Sequence, residues 1–221
     1  MKADVPVLAI DGPSGSGKGT ASRAVAKSLG WHFLDSGAIY RSLAVAALRS
    51  GTSLDDVGAI VHLAEAMDLR FTADDPPEVW LNGENIAAEI PTEACGNAAS
   101  RIAAYGSVRK VLLDKQRSFR KAPGLVADGR DMGTVVFPDA HFKVFLTASA
   151  EVRAQRRYKQ LKEKGIDVSL GGLTNEIEER DRRDRERAEA PLVMAEGAVL
   201  VDSSEMTIQE VVARCLAVVN S

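Results

Sequence analysis

The sequence predicts an α/β fold built on a mostly parallel, five-stranded β-sheet with helices on both faces. Short apolar runs alternate with longer helical segments, which is the pattern of strands joined by crossover helices. The runs that we interpret as strands are residues 5–10, 31–34, 125–128, 142–147 and 198–202. A glycine-rich loop follows the first run and an aspartate ends the third. Polar residues at strand ends are expected where such a sheet binds a ligand.

The glycine-rich loop lies between the first strand and a helix. In VPVLAIDGPSGSGKGT, which runs from Val5 to Thr20, Gly12 and Gly17 bracket four residues and Lys18 follows. Glycines allow successive backbone N–H groups to surround a phosphate, and the helix N-terminus adds unpaired donors. This unit is typical of the P-loop NTPase fold and predicts a nucleoside triphosphate site. The dinucleotide pattern G-x-G-x-x-G does not fit, because Thr20 occupies its last position.

The residues predicted to bind the triphosphate form one segment: Gly12, Pro13, Ser14, Gly15, Ser16, Gly17, Lys18, Gly19 and Thr20. Lys18 supplies a mobile point charge for the outer phosphates. The strict motif has Ser or Thr directly after the lysine, whereas here Gly19 stands first and Thr20 follows. Either Thr20 supplies a hydroxyl to Mg²⁺, or the metal is held mostly through water.

A second informative stretch follows the strand predicted at residues 125–128. It reads DGRDMG, from Asp128 to Gly133, and contains Arg130 and Asp131. A carboxylate at the end of a buried strand beside a phosphate loop orients Mg²⁺ or its waters, so Asp128 is the predicted metal residue. The alternative is a structural turn with an internal ion pair.

Composition and charge narrow the function classes. The formal net charge of −3 argues against bulk electrostatic binding to nucleic acid or an anionic membrane. No apolar run reaches membrane-spanning length. Cys95 and Cys215 are far apart, and the three histidines are scattered, so no zinc site is predicted. Free thiols favour a reducing, cytoplasmic location.

The helix after the second predicted strand begins near the polar cluster Asp35-Ser36-Gly37. Ser36 either caps a helix predicted over Ala38–Leu48 or contacts a ligand, and the two roles are compatible. Arg41 is predicted in the first turn of this helix. Because a positive charge there opposes the helix dipole, an anionic ligand explains Arg41 better than a solvated surface position does.

An inserted segment follows. The run LRFTADDPPEVWLNGENI, from Leu69 to Ile86, is interpreted as antiparallel strands with a turn at Asp74–Pro77 and with Trp80 in the hairpin core. Helices are predicted after it over Pro91–Ala104, with Thr92 as cap, and over Gly106–Arg120. An antiparallel piece among crossover helices indicates an inserted subdomain.

The most charged part of the chain lies between the last two predicted strands. One helix is predicted over Glu151–Lys164, and the next contains residues 176–191. In the second helix, Arg180, Asp184 and Arg187 have the spacing i, i+4, i+7 and share one face. Such a stripe can address a sugar hydroxyl and a phosphate, but a surface ladder of salt bridges explains the pattern equally simply.

Five motifs together resemble the bacterial cytidylate kinase family: GPSGSGKGT (12–20), LDSGAIYR (34–41), NAAS (97–100), VADGRDMGTVVFPDA (126–140) and ERDRRDRERAEAPL (179–192). The resemblance extends over essentially the whole chain, and Gly19-Thr20 is usual in nucleoside monophosphate kinases. It implies Mg²⁺-dependent transfer of the ATP γ-phosphoryl group to CMP or dCMP, in pyrimidine nucleotide metabolism.

The resemblance also implies roles for residues that match the family's motifs. The catalytic residues would be Lys18, Asp128, Arg130, Arg153 and Arg157. The CMP phosphate would be bound by Ser36, Arg41 and Arg130. Cytosine would be read by Ser100, Arg109 and Asp131, with Asp131 accepting from the exocyclic amine. Uracil has a carbonyl at that place, which a carboxylate repels. The pentose would be bound by Arg180 and Asp184, the phosphates by Arg187, and Mg²⁺ by Thr20 and Asp128 through water. Residues 201–206 would lie beside adenine.

The same resemblance implies one P-loop kinase unit in three parts. The core would comprise residues 1–36, 106–150 and 189–221, the monophosphate-binding subdomain about 37–105, and a short helical lid about 151–172. The partners would be ATP and CMP or dCMP, with no nucleic acid and no membrane, and a cytoplasmic monomer is expected. Two alternatives stay open: a kinase for another small acceptor, such as shikimate, and a nucleotide-dependent switch. The chain lacks the N-K-x-D motif by which GTPase switches read guanine.

Overall fold

The computed structural model describes residues 5–71, 78–163 and 165–220. The chain divides into two compact units: residues 1–34 with 117–221, and residues 35–116. Within the described residues, no helix is long and apolar enough to cross a membrane.

The strands of the described residues are β1 (Val7–Asp11), β2 (His32–Asp35), β3 (Leu69–Phe71), β4 (Val79–Leu81), β5 (Glu84–Asn85), β6 (Leu125–Gly129), β7 (Phe142–Thr147) and β8 (Val199–Asp202). The helices are α1 (Lys18–Leu29), α2 (Ser36–Ser50), α3 (Val57–Ala66), α4 (Glu93–Ile102), α5 (Gly106–Arg117), α6 (Ala150–Glu163), α7 (Leu170–Glu186) and α8 (Ile208–Val219). A short π-helical segment covers Met132–Val136.

The predicted α/β architecture is confirmed. Five strands form one sheet in the order β2-β6-β1-β7-β8. Strand β1 pairs in parallel with β6 and β7, and β7 pairs in parallel with β8. Leu8, Ile10 and Val126 are fully buried in the core, where α1 and α8 pack. Strands buried on both faces read as continuous apolar runs, which is why the sequence located them.

Helix α1 begins and ends at glycines that adopt left-handed conformations. Gly17, before its first residue, has φ 90°, and Gly30, after its last, has φ 64°. The N–H of Gly30 donates to the carbonyls of Ala26 and Lys27, which closes the final turn. Gly30 is therefore the C-cap of α1.

The start of helix α2 differs from the prediction. Asp35, not Ser36, is the cap: its Oδ1 accepts from the N–H of Ala38 at 2.9 Å. A carboxylate at this place both satisfies an unpaired donor and complements the helix dipole. Ser36 is therefore the first helical residue. Arg41 is the sixth residue of the helix and lies beyond the first turn.

In the second unit, β3, β4 and β5 form a three-stranded antiparallel sheet, as predicted. Placing Trp80 in the hairpin core was wrong. Val79 and Leu81 are buried, and Trp80, between them on the opposite face, is only half-buried. Its Nε1 donates to Glu78 at 3.0 Å. The predicted turn at 74–77 lies outside the described residues.

Two predictions about the flanking helices have different outcomes. Thr92 caps α4 as predicted, since its hydroxyl accepts from the N–H of Cys95 at 3.2 Å. Helix α7 ends at Glu186, so Arg187 follows the helix with an extended backbone (ψ 138°). The predicted helical stripe is therefore correct for Arg180 and Asp184 but not for Arg187.

Candidate functional site

The site in the first unit is built where β1 and β6 end side by side. In the parallel register, Ile10 pairs with Asp128 and Asp11 pairs with Gly129. The glycine-rich loop at residues 12–17 and the segment that begins at Arg130 therefore leave neighbouring strands at the same edge of the sheet. This is the edge at which α/β sheets bind ligands.

Two glycines of the loop allow close approaches that other residues would prevent. A Cβ on Gly12, whose φ is 150°, would overlap the carbonyl oxygen of Leu146. A Cβ on Gly15, whose φ is 79°, would lie 3.2 Å from the Cβ of Arg153. Directly after Gly15, the hydroxyl of Ser16 is buried without a hydrogen-bond partner among the described residues. A buried donor aimed into such a loop suits a phosphate oxygen.

Lys18 is buried inside this loop. Its Nζ donates to the carbonyl of Pro13 at 2.8 Å and lies 4.0 Å from Oδ1 of Asp128. The pKa of Lys18 is lowered to about 7, chiefly by burial and then by the nearby positive charge of Arg130, against the opposing effect of Asp128. A bound polyphosphate would supply negative oxygens and stabilise the charged ammonium.

The structure gives a physical reason for the glycine that departs from the strict motif. A Cβ on Gly19 would lie 3.3 Å from Oδ2 of Asp128 and 3.7 Å from a guanidinium nitrogen of Arg23. Any side chain at this place would crowd the aspartate. Thr20 is exposed at the next residue and lines a cleft beside the loop.

Asp11 is a buried acid of this site that the sequence reasoning missed. Its carboxylate is buried and accepts from the backbone N–H groups of Met132 and Gly133, both at 2.8 Å. Burial raises the pKa of Asp11 to about 6, although both hydrogen bonds lower it. The signal was available: Asp11 ends a buried strand just before a phosphate loop, the same feature that singled out Asp128.

Arg130 and Asp184 form an ion pair, with Nε of Arg130 2.8 Å from Oδ2 of Asp184. Burial acts to lower the pKa of Arg130, but the charges of Asp184 and Asp128 more than offset this, and its pKa is raised. Burial acts to raise the pKa of Asp184, yet Arg130, Arg180 and others hold it below its ordinary value.

These electrostatic effects show which predicted residues the first unit brings together. The charge of Arg180 lowers the pKa of both Lys18 and Asp184. The charge of Asp131 raises the pKa of Asp11, and that of Arg187 lowers the pKa of Asp184. The predicted residues gathered around the loop end are Lys18, Asp128, Arg130, Asp131, Arg180, Asp184 and Arg187. The lysine and the arginines of this group bring several charged N–H donors together beside the aspartates, and such donors bind phosphate groups strongly.

Arg153 is placed differently from the other predicted arginines. Its Nε donates to the carbonyl of Ala148 at 3.0 Å, and one terminal nitrogen donates to the carbonyl of Ser14 at 3.0 Å. Both terminal nitrogens also bind the carboxylate of Asp181, at 3.0 and 2.5 Å. Arg157 is half-buried one turn further along α6. Sequence reasoning did not find Asp181, because it looked like one acid among many in a charged helix.

A cleft of about 210 Å³ lies beside the loop in the same unit. Met206, Ile208 and Val211 form an apolar part of its lining, and Thr20 and Arg156 also line it. Arg156 donates to the carbonyl of Ser203 at 2.5 Å. The hydroxyl of Ser203 in turn donates to the carbonyl of Ser16 at 3.0 Å. The loop and the segment after β8 are thereby fixed to each other, with an apolar surface between them.

The second unit contains four further predicted residues, two of them arginines. The guanidinium of Arg41 donates to the carbonyl of Ile90 and lies against Gly96 of α4, where a Cβ would be 3.1 Å from it. Arg109 is buried, donates to the carbonyl of Ala103 at 3.2 Å, and lies 5.7 Å from the ring centre of Tyr40. Two neighbouring residues of α2 thus take part in arginine contacts: Arg41 through its own guanidinium, and Tyr40 through its ring, which lies near Arg109.

The two serines of the second unit also differ. The hydroxyl of Ser36 donates to Oε1 of Gln116 at 2.6 Å, in a buried pair. The hydroxyl of Ser100 is buried and has no hydrogen-bond partner among the described residues. An unpartnered buried hydroxyl is costly, so Ser100 has the character of a ligand contact.

Comparison with known proteins decides the family. The family model described as cytidylate kinase matches residues 8–221. The chain belongs to the cytidylate kinase family. A cytidylate kinase from Methylococcus capsulatus is 64% identical over 100% of both chains. One from Aeromonas salmonicida is 60% identical over 98% of this chain and 95% of its own length. Among solved structures, a shikimate kinase from Acinetobacter baumannii aligns with 98% of this chain and 94% of its own, at 17% identity and a TM-score of 0.47.

In this cytidylate kinase family member, the described residues contain no cluster of three or more His, Cys, Asp or Glu side chains able to hold a metal ion. Asp128 offers a hard carboxylate oxygen beside the loop, and Thr20 an exposed hydroxyl. Mg²⁺ suits such a place, because it keeps several waters and binds through one or two protein oxygens together with substrate phosphates.

Proposed function

We propose that this nucleoside monophosphate kinase transfers the γ-phosphoryl group of ATP to CMP or dCMP and releases ADP with CDP or dCDP. The observation that carries the proposal is similarity over the full length of the chain to proteins named cytidylate kinase. The buried cluster of lysine and arginine side chains around the phosphate loop supports it, because phosphoryl transfer depends on positioning and charge neutralisation.

The donor half of the reaction would use residues 12–20. The backbone N–H groups of the loop and the first turn of α1 would bind the ATP phosphates, and Lys18 would neutralise charge on the transferring group. Residues 201–206, with the apolar cleft beside the loop, would hold adenine. Since the pKa of Lys18 is lowered to about 7 without ligand, ATP binding would restore its proton.

Mg²⁺ would be held by Asp128 and Thr20 through water. When bound, it would neutralise charge on the phosphate oxygens. The residues of the chain do the rest: they orient the phosphates and exclude water from the reacting group.

In the second unit, Ser36 and Arg41 would hold the CMP phosphate, while Ser100 and Arg109 would contact cytosine. In the first unit the acceptor residues would be Arg130, Asp131, Arg180, Asp184 and Arg187. The unpartnered hydroxyl of Ser100 and the buried guanidinium of Arg109 support these assignments.

On helix α6 we assign the contact with the transferring phosphate to Arg157. Arg153 uses four of its five N–H groups in contacts with Ala148, Ser14 and Asp181. Its position favours holding the phosphate loop in shape, so its part in catalysis would be indirect.

A coupled assay with ATP and a panel of CMP, dCMP, UMP, AMP and GMP tests the substrate. We expect CMP and dCMP to be phosphorylated with kcat/KM at least about tenfold above the other nucleotides, a difference of about 1.4 kcal/mol. Equal or better use of UMP would contradict the cytidine assignment. ATP consumption that does not depend on an added monophosphate would favour a nucleotide-dependent switch.

We also propose that the enzyme acts in pyrimidine nucleotide metabolism, as a monomer in the cytoplasm. Cys95 and Cys215 are buried and are not joined in a disulfide, as a reducing compartment allows. Size-exclusion chromatography with light scattering should give one mass close to 23.6 kDa. A concentration-independent dimer would contradict the monomer.

A further inference from the structure

Asp11 makes two kinds of contact with the segment that follows β6. Through its backbone it pairs with Gly129 in the parallel register. Asp11 is 3% exposed, and its carboxylate accepts from the N–H groups of Met132 and Gly133. One residue therefore holds the chain on both sides of the dipeptide Arg130-Asp131.

The two N–H groups belong to the start of the π-helical segment Met132–Val136. Donors at a helix start have no partner inside the helix, so they need an acceptor from elsewhere. The residue just before the segment, Asp131, makes no side-chain cap. Asp11 supplies the cap from another strand, 121 residues away in sequence.

Glycines keep this segment tightly packed. A Cβ on Gly129 would lie 2.7 Å from the Met132 side chain, and a Cβ on Gly133 would lie 3.5 Å from the Asp11 carboxylate. The backbone between Gly129 and Met132 therefore has little room to shift. The two side chains that project from it are those of Arg130 and Asp131.

A carboxylate is a costly choice for a buried place, since burial favours its neutral form and raises the pKa of Asp11 to about 6. An isosteric amide would be cheaper to bury, but it replaces one of the two carboxylate oxygens by an NH2 donor, so one of the two backbone N–H groups would face a donor instead of an acceptor. The double hydrogen bond accounts for the acid.

We propose that Asp11 is a positioning residue for the acceptor nucleotide: it fixes Arg130 and Asp131 relative to the phosphate loop and thereby sets the preference for cytosine over uracil. Asp11 directly precedes Gly12, so the strand end that begins the donor loop also fixes the acceptor-reading segment. The inference rests on the proposed function, in which Arg130 binds the CMP phosphate and Asp131 reads the base.

The test compares Asp11→Asn and Asp11→Ala in the full-length enzyme. Each lost hydrogen bond is worth on the order of 1 kcal/mol. We therefore expect the KM for CMP to rise about fivefold in Asp11→Asn and about tenfold or more in Asp11→Ala. The ratio of kcat/KM for CMP to that for UMP should fall in the same order. The KM for ATP should change less than about twofold, since the donor loop keeps its own contacts.

Asp56→Asn is the matched control. Asp56 also accepts a backbone N–H, from Ala59 at 3.0 Å, but it caps the exposed start of α3. This variant should keep the wild-type KM values and the CMP/UMP ratio.

A purely structural role predicts a different pattern. Asp11 variants would then melt at lower temperature and lose active fraction, with unchanged KM for CMP and unchanged CMP/UMP ratio, and that result would overturn the proposal. Failure of both variants to fold would overturn it as well. Asp131→Asn, measured in parallel, separates the two levels: if it leaves the ratio unchanged, the assigned role of Asp131 fails, while the effect of Asp11 on the KM for CMP still tests the positioning of Arg130.

Discussion

Helix α7 forms ion pairs with arginines from two regions of the first unit, and the two pairs differ in burial and in the other contacts of each arginine. From α6, Arg153 binds Asp181; from the end of β6, Arg130 binds Asp184. The side chain of Arg153 is 4% exposed, whereas that of Arg130 is 19% exposed. Arg153 also donates to two backbone carbonyls, one of them in the phosphate loop, while among the described residues Arg130 adds one carbonyl, that of its neighbour Gly129.

From this comparison we expect the charge of Arg153 to maintain the fold, whereas Arg130 is the residue for which we proposed a ligand. Both pairs use the same chemistry on the same helix, three residues apart. What distinguishes them is burial and the number of donors already used. A buried arginine that already uses most of its donors resists a new partner, while a partly exposed one can exchange its carboxylate for a phosphate.

The largest expected effect is on stability, in Arg153→Ala. Removing this arginine leaves the buried carboxylate of Asp181 without its partner, which costs about 3–5 kcal/mol. Urea unfolding measures the loss. The double variant Arg153→Ala/Asp181→Leu should recover part of it, because the unpaired charge is then gone. A loss below about 1 kcal/mol would mean that the pair does not anchor the fold.

Lys18→Met should lower kcat on the order of 10²- to 10³-fold, because the variant lacks the positive charge that would neutralise the transferring phosphoryl group. The same change should stabilise the free protein at pH 7, in contrast to Arg153→Ala. The pKa of Lys18 lies at about 7 in the folded protein against 10.5 for an ordinary lysine. The folded state therefore binds this proton more weakly than the unfolded state does. As pH falls from 10.5 towards 7, the unfolded state takes up the proton first, and the free energy of unfolding of the wild type decreases.

Thermal unfolding of wild type and Lys18→Met between pH 7 and pH 10 checks the sign. The advantage of the variant should be largest near pH 7 and should narrow as pH rises. An advantage that stays constant over this range would show that the lysine charge is not responsible.

Arg130→Ala should affect ligand binding more than folding. A charge-assisted hydrogen bond to a phosphate is worth about 1.5–3 kcal/mol, so the KM for CMP should rise by about 10- to 100-fold. The loss of unfolding free energy should be smaller than in Arg153→Ala, since Arg180 and Arg187 also act on the charge of Asp184. A stability loss equal to that of Arg153→Ala, with unchanged KM, would remove the distinction between the two regions.

The smallest effect is expected for Arg182→Ala on the outer side of the same helix. Arg182 is 60% exposed and pairs with Glu179 at 2.5 Å. Exposed pairs of this kind are screened by solvent, so stability should change by less than about 0.5 kcal/mol and the kinetic constants should stay the same. This variant is the surface reference for both buried arginines.

The sequence by itself determined the sheet, the loop and most of the caps. Buried strands, the glycine at position 30 and the threonine at position 92 are local signals, readable because backbone conformation and capping depend on near neighbours. The sequence motifs also indicated the family, and the family implied the candidate site residues of both units. One prediction of a cap was wrong where two adjacent residues could both serve: Asp35, and not Ser36, caps α2.

Only the tertiary structure decided how the charges are used. Nothing in the chain around Asp11 indicates that it binds Met132 and Gly133, because that contact depends on strand register. Nor does the charged pattern of α7 show that Asp181 binds Arg153 while Asp184 binds Arg130. The reason is physical: burial, desolvation and donor saturation are properties of the packed environment, and they determine whether an acid or an arginine holds the fold or awaits a ligand.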